Sequence, residues 1–502
     1  MAIKKHFIIY LVIIILAVYG YSTIDEQFFH WDEYYSCEVG RMNFNYVSNK
    51  NDSLQTFKDR DYGPLFETAV YSIQKIANYQ KVSDIVTMRH KAVFLVFLIG
   101  LLFFYFLLIE LKFSILNSIT GVLLIVFSPR ISGQAFFNSK DIVLMVFLIL
   151  AVWSLILLAK ENNYKTILIH SLFSAFAITT RITAVLIIPV TILLMVWLNS
   201  NKSYLKSFFY LLLTSFFIVL FWPYLWEKPV GNILLAFSNM QNFRWNEPVL
   251  FMGEYFRADN PIWYYLPVWI FISTPESYLI LVFVGLFITV KTFFKKSYNN
   301  VFFKRVLVGL YFGVFPLLYV IISKSVVYDS WRHLYFIYPF LLIFALIAIE
   351  KCEENILKKT TLYLFYIFIF ASPVYIMVKN RPFFYLYFNS FVTNDSNLLI
   401  KQYEFDYWGV YYKQAIEKTL IDCKMDTIYL MFANGPGYDS FRLLKEKNLS
   451  KNAIETFDID KCDYYISNLR FDYQNRQKMQ LIKQDSLCWN NNAFVYIFKK
   501  LK

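Results

Sequence analysis

Uncharged apolar segments follow one another along most of this chain, and they restrict its fold more than any other feature. Phe7–Tyr21, Val93–Ile109 and Ile142–Leu158 are three of them. Of the 502 residues, 58% are hydrophobic, against about 45–50% in soluble domains. Segments of this kind predict membrane-crossing helices, because a backbone in hydrocarbon must satisfy its own hydrogen bonds. The net charge of +13 would suggest nucleic acid in a soluble protein. Here the lysines cluster between apolar segments, which positive-inside topology explains, and nucleic-acid binding is set aside.

Alternating the segments across a bilayer gives a polytopic α-helical membrane protein of about eleven spans. Lys4 and Lys5 precede the first, read as an uncleaved helix with a cytoplasmic N-terminus. The others are Val93–Ile109, Ile115–Phe127, Ile142–Leu158, two within Tyr164–Leu198, Phe208–Phe221, Tyr278–Val290, Val306–Ile322, Arg332–Ile349 and Leu362–Met377. Lysine clusters at Lys160/Lys165, Lys202/Lys206, Lys291–Arg305 and Lys351–Lys359 then all fall inside. Two long loops fall outside. The first, 22–91, contains a polar, irregular stretch at Asn45–Asp61 and an amphipathic helix at Leu65–Ile76, suited to the interface. The second, 222–275, is rich in Trp, Tyr and Pro.

From Asn380 the composition turns polar. Strand-like runs at Asp426–Met431, Tyr464–Ser467 and Ala493–Phe498, a helix at Tyr412–Leu420 and a turn cluster at Asn434–Gly437 predict a small extracytoplasmic α/β domain. The expected division is 1–379 and 380–502. No CxxC pair is present. Cys423, Cys462 and Cys488 share the outer domain, where a disulfide between two would leave the third over, and unpaired thiols fit equally.

Chemistry-bearing residues gather at the outer ends of the spans. Asp32 and Glu33 follow the first span, and an ionised carboxylate there can serve as general base. Asp25, Glu26 and Glu38 are competing acids. Arg130, Lys140, Arg181, Arg332 and His333 sit on the face that positive-inside topology leaves poor in cations. A lipid phosphate would account for them, Arg offering it a planar fork. So would pairing with Asp141, Asp329 and the loop acids. Asp61 and Tyr62 precede a Gly-Pro turn, and Trp226 and Tyr264 lie in aromatic segments able to stack on sugars or anchor at the interface.

In order, Trp31-Asp32-Glu33, Asp61-Tyr62-Gly63-Pro64-Leu65, Ser128-Pro129-Arg130 with Asn138-Ser139-Lys140-Asp141, Thr180-Arg181, Trp222–Trp226, Ser273-Thr274-Pro275 and Trp331-Arg332-His333 resemble the GT-C superfamily of integral-membrane glycosyltransferases. Glycosyltransferase family 39 and the aminoarabinose-transferase-like proteins are the nearest. Two departures stand out: Tyr62-Gly63 where the family often has His or Pro, and Gln134 where His is common after Ser-Pro-Arg. The resemblance implies transfer of a sugar from a polyprenyl-phosphate carrier, outside the membrane, to a lipid, glycan or protein acceptor. It makes Asp32 the catalytic acid of the first loop.

The expected reaction is an inverting displacement. Asp32, with Glu33 beside it, takes the acceptor proton; Arg332, His333, Lys140, Arg181 and Arg130 hold the donor phosphate; Asp61, Tyr62, Trp226 and Tyr264 line the acceptor and sugar site. No cofactor is required, although Asp32 and Glu33 with Asp61 could take a divalent ion. The implied location is a bacterial inner or plasma membrane. The rival readings are a polymerase or ligase using diphosphate-linked glycans, and a lipid or solute transporter, which would place its polar site nearer mid-membrane.

Overall fold

The computed structural model describes residues 6–26, 29–49, 53–197, 203–241, 243–245, 247–356, 358–392, 396–422, 427–449, 452–470, 481–489 and 491–500. Among these described residues, eight helices are long and apolar enough to cross a membrane: Phe7–Glu26, Val82–Glu110, Asp141–Glu161, Tyr204–Phe221, Glu276–Phe294, Asn300–Ile322, Arg332–Asn355 and Lys359–Lys379. Three shorter apolar helices, Ile115–Val126, Tyr164–Ile178 and Ile182–Trp197, occupy the remaining places where spans were expected.

Short polar caps set the boundaries. Ser114 accepts the Asn117 N–H at the start of Ile115–Val126. The helix Asp141–Glu161 ends on Asn162 in the left-handed region (φ 44°), and Asn163 at once forms a capping box with Thr166. That hairpin falls in the polar stretch Lys160–Lys165, where the sequence breaks between two apolar segments. Within Asn300–Ile322, Leu310–Val314 widens into a π-turn just ahead of Pro316. Proline lacks the N–H that an α-turn would use, and the widened turn accommodates the loss. Gly285 lies against the Phe344 carbonyl, so a side chain there would force Glu276–Phe294 away from the helix Tyr338–Asn355.

Val82–Glu110 departs from expectation. Its 29 residues span about 43 Å, beyond the ~30 Å hydrocarbon core. The charged first turns, carrying Arg89 and His90, were lost from the apolar window, yet they extend the helix to the level of the first loop.

In that loop the amphipathic helix Leu65–Ile76 is present as expected. Ahead of it Glu33–Asn49 is also helical, so the stretch read as irregular from Asn45 begins inside a helix. The second long loop contains the helix Pro229–Gln241, the antiparallel hairpin β1 (Pro248–Phe251) and β2 (Glu254–Arg257), and the helix Tyr265–Ser273.

The tail is α/β. Strands β3 (Ile428–Phe432), β4 (Ala453–Glu455), β5 (Tyr464–Ser467), β6 (Leu481–Trp489) and β7 (Asn492–Lys500) form one sheet in the order β4-β3-β5-β7-β6. β3 pairs in parallel with β4 and β5, and β7 antiparallel with β5 and β6. The expected turn at Asn434–Gly437 is instead the start of the helix Gly435–Glu446, Pro436 lying in its first turn. The segment before the sheet is bound to the helices: Asn389 donates from its backbone N–H to Ile272 O at 2.8 Å and from Nδ2 to Phe271 O and Thr274 O. Cys488 is an exposed thiol without a disulfide, and Cys423 lies outside the described residues.

Candidate active site

Helix starts and helix ends at one level of the bundle bring the site together. Asp32 precedes Glu33–Asn49, Lys140 precedes Asp141–Glu161, Arg181 follows Tyr164–Ile178, and Arg332 opens the turn into Tyr338–Asn355. Asp32 Oδ2 stands 3.4 Å from Lys140 Nζ and 3.6 Å from Arg332 Nη1. Behind it Asp141 links the other cations, with Arg181 Nη2 at 2.7 Å and Arg332 Nη1 at 3.4 Å. Asp329 receives Arg332 Nη2 at 3.1 Å. Four of the expected residues therefore share one centre, and the expected pairing with Asp141 and Asp329 is part of it.

Exposure separates the three carboxylates. The Asp141 and Asp329 side chains are 1% and 6% exposed; Asp32 is 27% exposed. Burial by itself would push the Asp32 carboxyl up, but the Lys140 and Arg332 cations outweigh it and hold it below the usual carboxylate range. Asp32 is thus ionised, and it is the accessible one of the three.

Two cavities meet at this centre. A polar one of about 320 Å³ is lined by Asp32, Asp59, Asp61, Tyr62, Lys140, Arg244, Arg332 and several aromatics, among them Trp31, Trp245 and Trp408. A more apolar one of about 330 Å³ runs between Leu186, Phe237, Phe315, Pro316, Tyr319 and Val320. Asp32, Tyr62, Lys140, Tyr328 and Arg332 line both. Arg181 and His333 face the apolar side, where His333 Nδ1 is buried without a hydrogen bond. The widened turn at Pro316 shapes that wall.

Tyr62 is held by its neighbours. Its ring lies under Lys140 Nζ at 5.0 Å, and Gly63 packs directly on the backbone of Thr179 and Thr180. The Gly-Pro turn therefore ties the first loop to the Arg181 corner. Asp61 accepts from Asn239 Nδ2 at 2.6 Å and from Arg244 Nη2 at 3.3 Å.

Glu33 turns away from both cavities. It is 2% exposed and takes Arg89 Nε at 2.5 Å, His30 Nε2 at 2.8 Å and His90 Nε2 at 3.0 Å. Arg89 Nη2 continues to Glu67 at 2.6 Å, and Glu67 accepts Ser139 Oγ at 2.5 Å. The ligand atoms of His30, Glu33 and His90 lie within 4.8 Å of one another, as metal ligands would. The chemistry fits poorly: the Asp32 N–H donates to His30 Nδ1, which assigns the ring proton to Nε2 and aims it at Glu33. With Arg89 also on this carboxylate, Glu33 collects donors. The expected ion set of Asp32, Glu33 and Asp61 fits no better, since each carboxylate already has a cationic partner.

Arg130, Trp226 and Tyr264 lie outside both cavities. Arg130 is wholly buried between Trp269 and Phe388, each ring 5.2 Å away, and donates to Tyr387 O. Trp226 is exposed and donates to Val219 O. Tyr264 packs on Phe251 and Trp263. These positions do not suit the expected phosphate and sugar roles.

Trp408 and Arg470 were not singled out in the sequence, and Gln134 and Ser273, named there as motif residues, support the same centre. Trp408 stacks under Arg332 at 4.6 Å and donates Nε1 to Gln134 Oε1 at 3.1 Å. Gln134, the departure noted in the sequence, also donates to Tyr335 and Tyr407 and receives Asn138. Ser273 Oγ accepts Trp331 Nε1 at 2.7 Å, steadying the residue beside Arg332. Arg470 reaches the polar cavity from the end of β5. The one available signal for Trp408 was an aromatic residue followed by glycine in a polar tail, and for Arg470 there was none.

Residues 84–226 match the model of the dolichyl-phosphate-mannose-protein mannosyltransferase family. That stretch contains Arg130, Lys140, Asp141 and Arg181, and there the expected likeness to membrane glycosyltransferases is met. No curated relative matches the chain by sequence. Among solved structures, the chain is similar to ArnT from Cupriavidus metallidurans bound to undecaprenyl phosphate, with 10% identity, 99% of this chain and 98% of that one covered, and a TM-score of 0.49. It is also similar to the oligosaccharyltransferase AglB from Archaeoglobus fulgidus in complex with an inhibitory peptide and a dolichol-phosphate, with 10% identity, coverage of 93% and 70%, and a TM-score of 0.48.

Proposed function

We propose that this protein transfers a glycosyl residue from a polyprenyl-phosphate-linked sugar to an acceptor at the extracytoplasmic face of a bacterial plasma membrane. The observation that carries the reading is the position of Asp32, accessible and ionised, where the polar and the apolar cavities meet between Lys140 and Arg332.

The apolar cavity suits the first isoprene units of the donor lipid, and the polar one suits sugar and acceptor. Its wall carries five basic and four acidic side chains, a surplus of one positive charge. A glycosyl phosphodiester carries one negative charge, whereas a phosphate monoester carries ≈ −1.5 to −2 at neutral pH. The centre therefore matches the donor and gains attraction as the phosphate leaves, the differential stabilisation that lowers a barrier. In the displacement, an acceptor hydroxyl or amine attacks the anomeric carbon and its proton passes to Asp32. The bond between that carbon and the phosphate oxygen breaks, and the lipid phosphate departs with its electron pair towards Arg332 and Lys140. A phosphate leaving group needs no proton, so one carboxylate suffices, and a single displacement inverts the anomeric centre.

Charge distribution supports the orientation. The helices Asp141–Glu161 and Tyr338–Asn355 start at the site. Their far ends carry the Lys160–Glu110 pair and Arg305 with Glu350, where the sequence is richest in cations.

The test is mass spectrometry of polyprenyl-phosphate sugars in cells expressing wild type or Asp32→Asn at matched levels. One such lipid should be depleted by wild type and restored in the variant. If no lipid of this class responds to either protein, the monophosphate donor is rejected.

A further inference from the structure

We propose that Arg470, from the C-terminal α/β region, is a positioning residue for the donor phosphate, acting through Asp329 on Arg332. The inference rests on the proposed lipid-phosphate donor and extends it by making the tail a working part of the site.

Asp329 stands between two guanidinium groups. Its Oδ1 takes Arg470 Nη2 at 2.6 Å, and its Oδ2 takes Arg332 Nη2 at 3.1 Å. Arg470 also donates Nη1 to the Tyr407 carbonyl, the residue before Trp408, whose ring lies under Arg332. Arg470 therefore grips both supports of Arg332, the carboxylate at its edge and the loop carrying the indole at its face. Its side chain is 7% exposed, which suits a brace better than a hand for substrate.

The backbone adds an independent observation. Asp329 and Ser330 both lie in the left-handed region, with φ of 54° and 64°. Two successive non-glycine residues there are costly and persist only where surrounding contacts hold them. Those contacts include the Tyr265 hydroxyl accepting the Ser330 N–H at 3.0 Å, the Ser330 hydroxyl on Tyr407 and the Arg332 and Arg470 ion pairs of Asp329. Without Arg470, Asp329 keeps a single cation and the strained turn loses an anchor. The turn could then shift, carrying Asp329 and Arg332 away from the position in which Arg332 faces the phosphate.

The test is binding of undecaprenyl phosphate to the full-length protein in detergent, read by native mass spectrometry or intrinsic tryptophan fluorescence. Arg470→Ala should weaken binding by about tenfold, the loss expected when a charge-assisted contact is removed, and Arg470→Lys should recover most of it. Asp329→Asn, which keeps the side-chain shape, should resemble Arg470→Ala, and the double variant should be no worse than either single one. Where transfer is assayed, the loss should appear in the donor KM, with the acceptor KM unchanged. Melting temperature and elution profile identify a variant that fails to fold, in which case Asp329→Asn and Arg470→Lys decide. If Arg332→Ala loses binding while Arg470→Ala and Asp329→Asn bind as wild type does, this inference fails and the donor reading stands. If wild type does not bind the probe at all, the donor reading itself fails. A loss in Arg470→Ala that lysine does not restore overturns the positioning role.

Discussion

Arg332 and Asp32, far apart in the sequence, stand 3.6 Å from one another at the junction of two cavities. The pair joins a residue that can accept a proton to one that can hold a phosphate, and neighbouring carboxylates, cations and aromatic rings constrain both. Their separation of roles can be tested by comparing residues that differ in surroundings but little in chemistry.

Asp32 and Glu33 are adjacent acids with opposite environments. Asp32→Asn should lower transfer by roughly 10³-fold, the range of a lost general base, while leaving the melting temperature close to wild type. It should also bind undecaprenyl phosphate at least as tightly, because a negative charge beside the phosphate is removed. Glu33→Gln should instead destabilise the protein by about 3 kcal/mol, since Arg89 would keep its buried charge with one carboxylate fewer. Thermal unfolding and turnover of the two variants give the answer; equal thermal losses would erase the distinction.

Arg332 and Arg130 are both buried arginines from the expected phosphate set. Arg332→Ala should raise the donor KM. Arg130→Ala should leave it unchanged and lower the melting temperature, because Arg130 fills the space between Trp269 and Phe388 and ties down the Tyr387 carbonyl. A donor-specific effect of Arg130→Ala would return it to the site.

Gly63→Ala adds one methyl group where the chain already touches the Thr179 carbonyl. The loop must shift, and Tyr62 under Lys140 moves with it. The expected result is a loss of stability of about 1–3 kcal/mol, with reduced transfer in the protein that remains folded. Unfolding curves and activity per folded molecule separate the two effects.

Asp406 and Glu404 make the tail sensitive to pH. Burial pushes the Asp406 carboxyl up to about 7, and burial pushes Glu404 up to about 8. The folded chain holds these protons more tightly than the unfolded chain. The stability they contribute is thus full below about pH 4 and is lost as pH rises through 7 and 8. Asp406→Asn retains an acceptor for the Tyr385 hydroxyl and the Gly409 N–H but cannot ionise. Wild type should lose several degrees of melting temperature between pH 5.5 and 8.5, and the variant should lose less. Parallel curves would exclude Asp406 as the source.

The sequence by itself determined the membrane-embedded helices, their order, the amphipathic helix of the first loop and the α/β character of the tail. These follow from composition over short windows, because burial in lipid is additive and non-directional and a helix or strand shows its period locally. It also determined that Asp32, Lys140, Arg181 and Arg332 would lie at one end of the bundle, since a residue's depth follows from its place at the end of an apolar segment. Only the tertiary structure decided which of them face one another. A helix turns each successive side chain by about 100°, and hydropathy does not record which neighbour fills that direction. Hence Arg130 is buried between two rings while Lys140, just before the helix Asp141–Glu161, reaches Asp32. Glu33 likewise turns to Arg89, on a helix whose charged start the hydropathy window discarded. Trp408 and Arg470 come from a region with its own sheet, and they joined the site only because the segment beginning at Asn380 folds back along the helices.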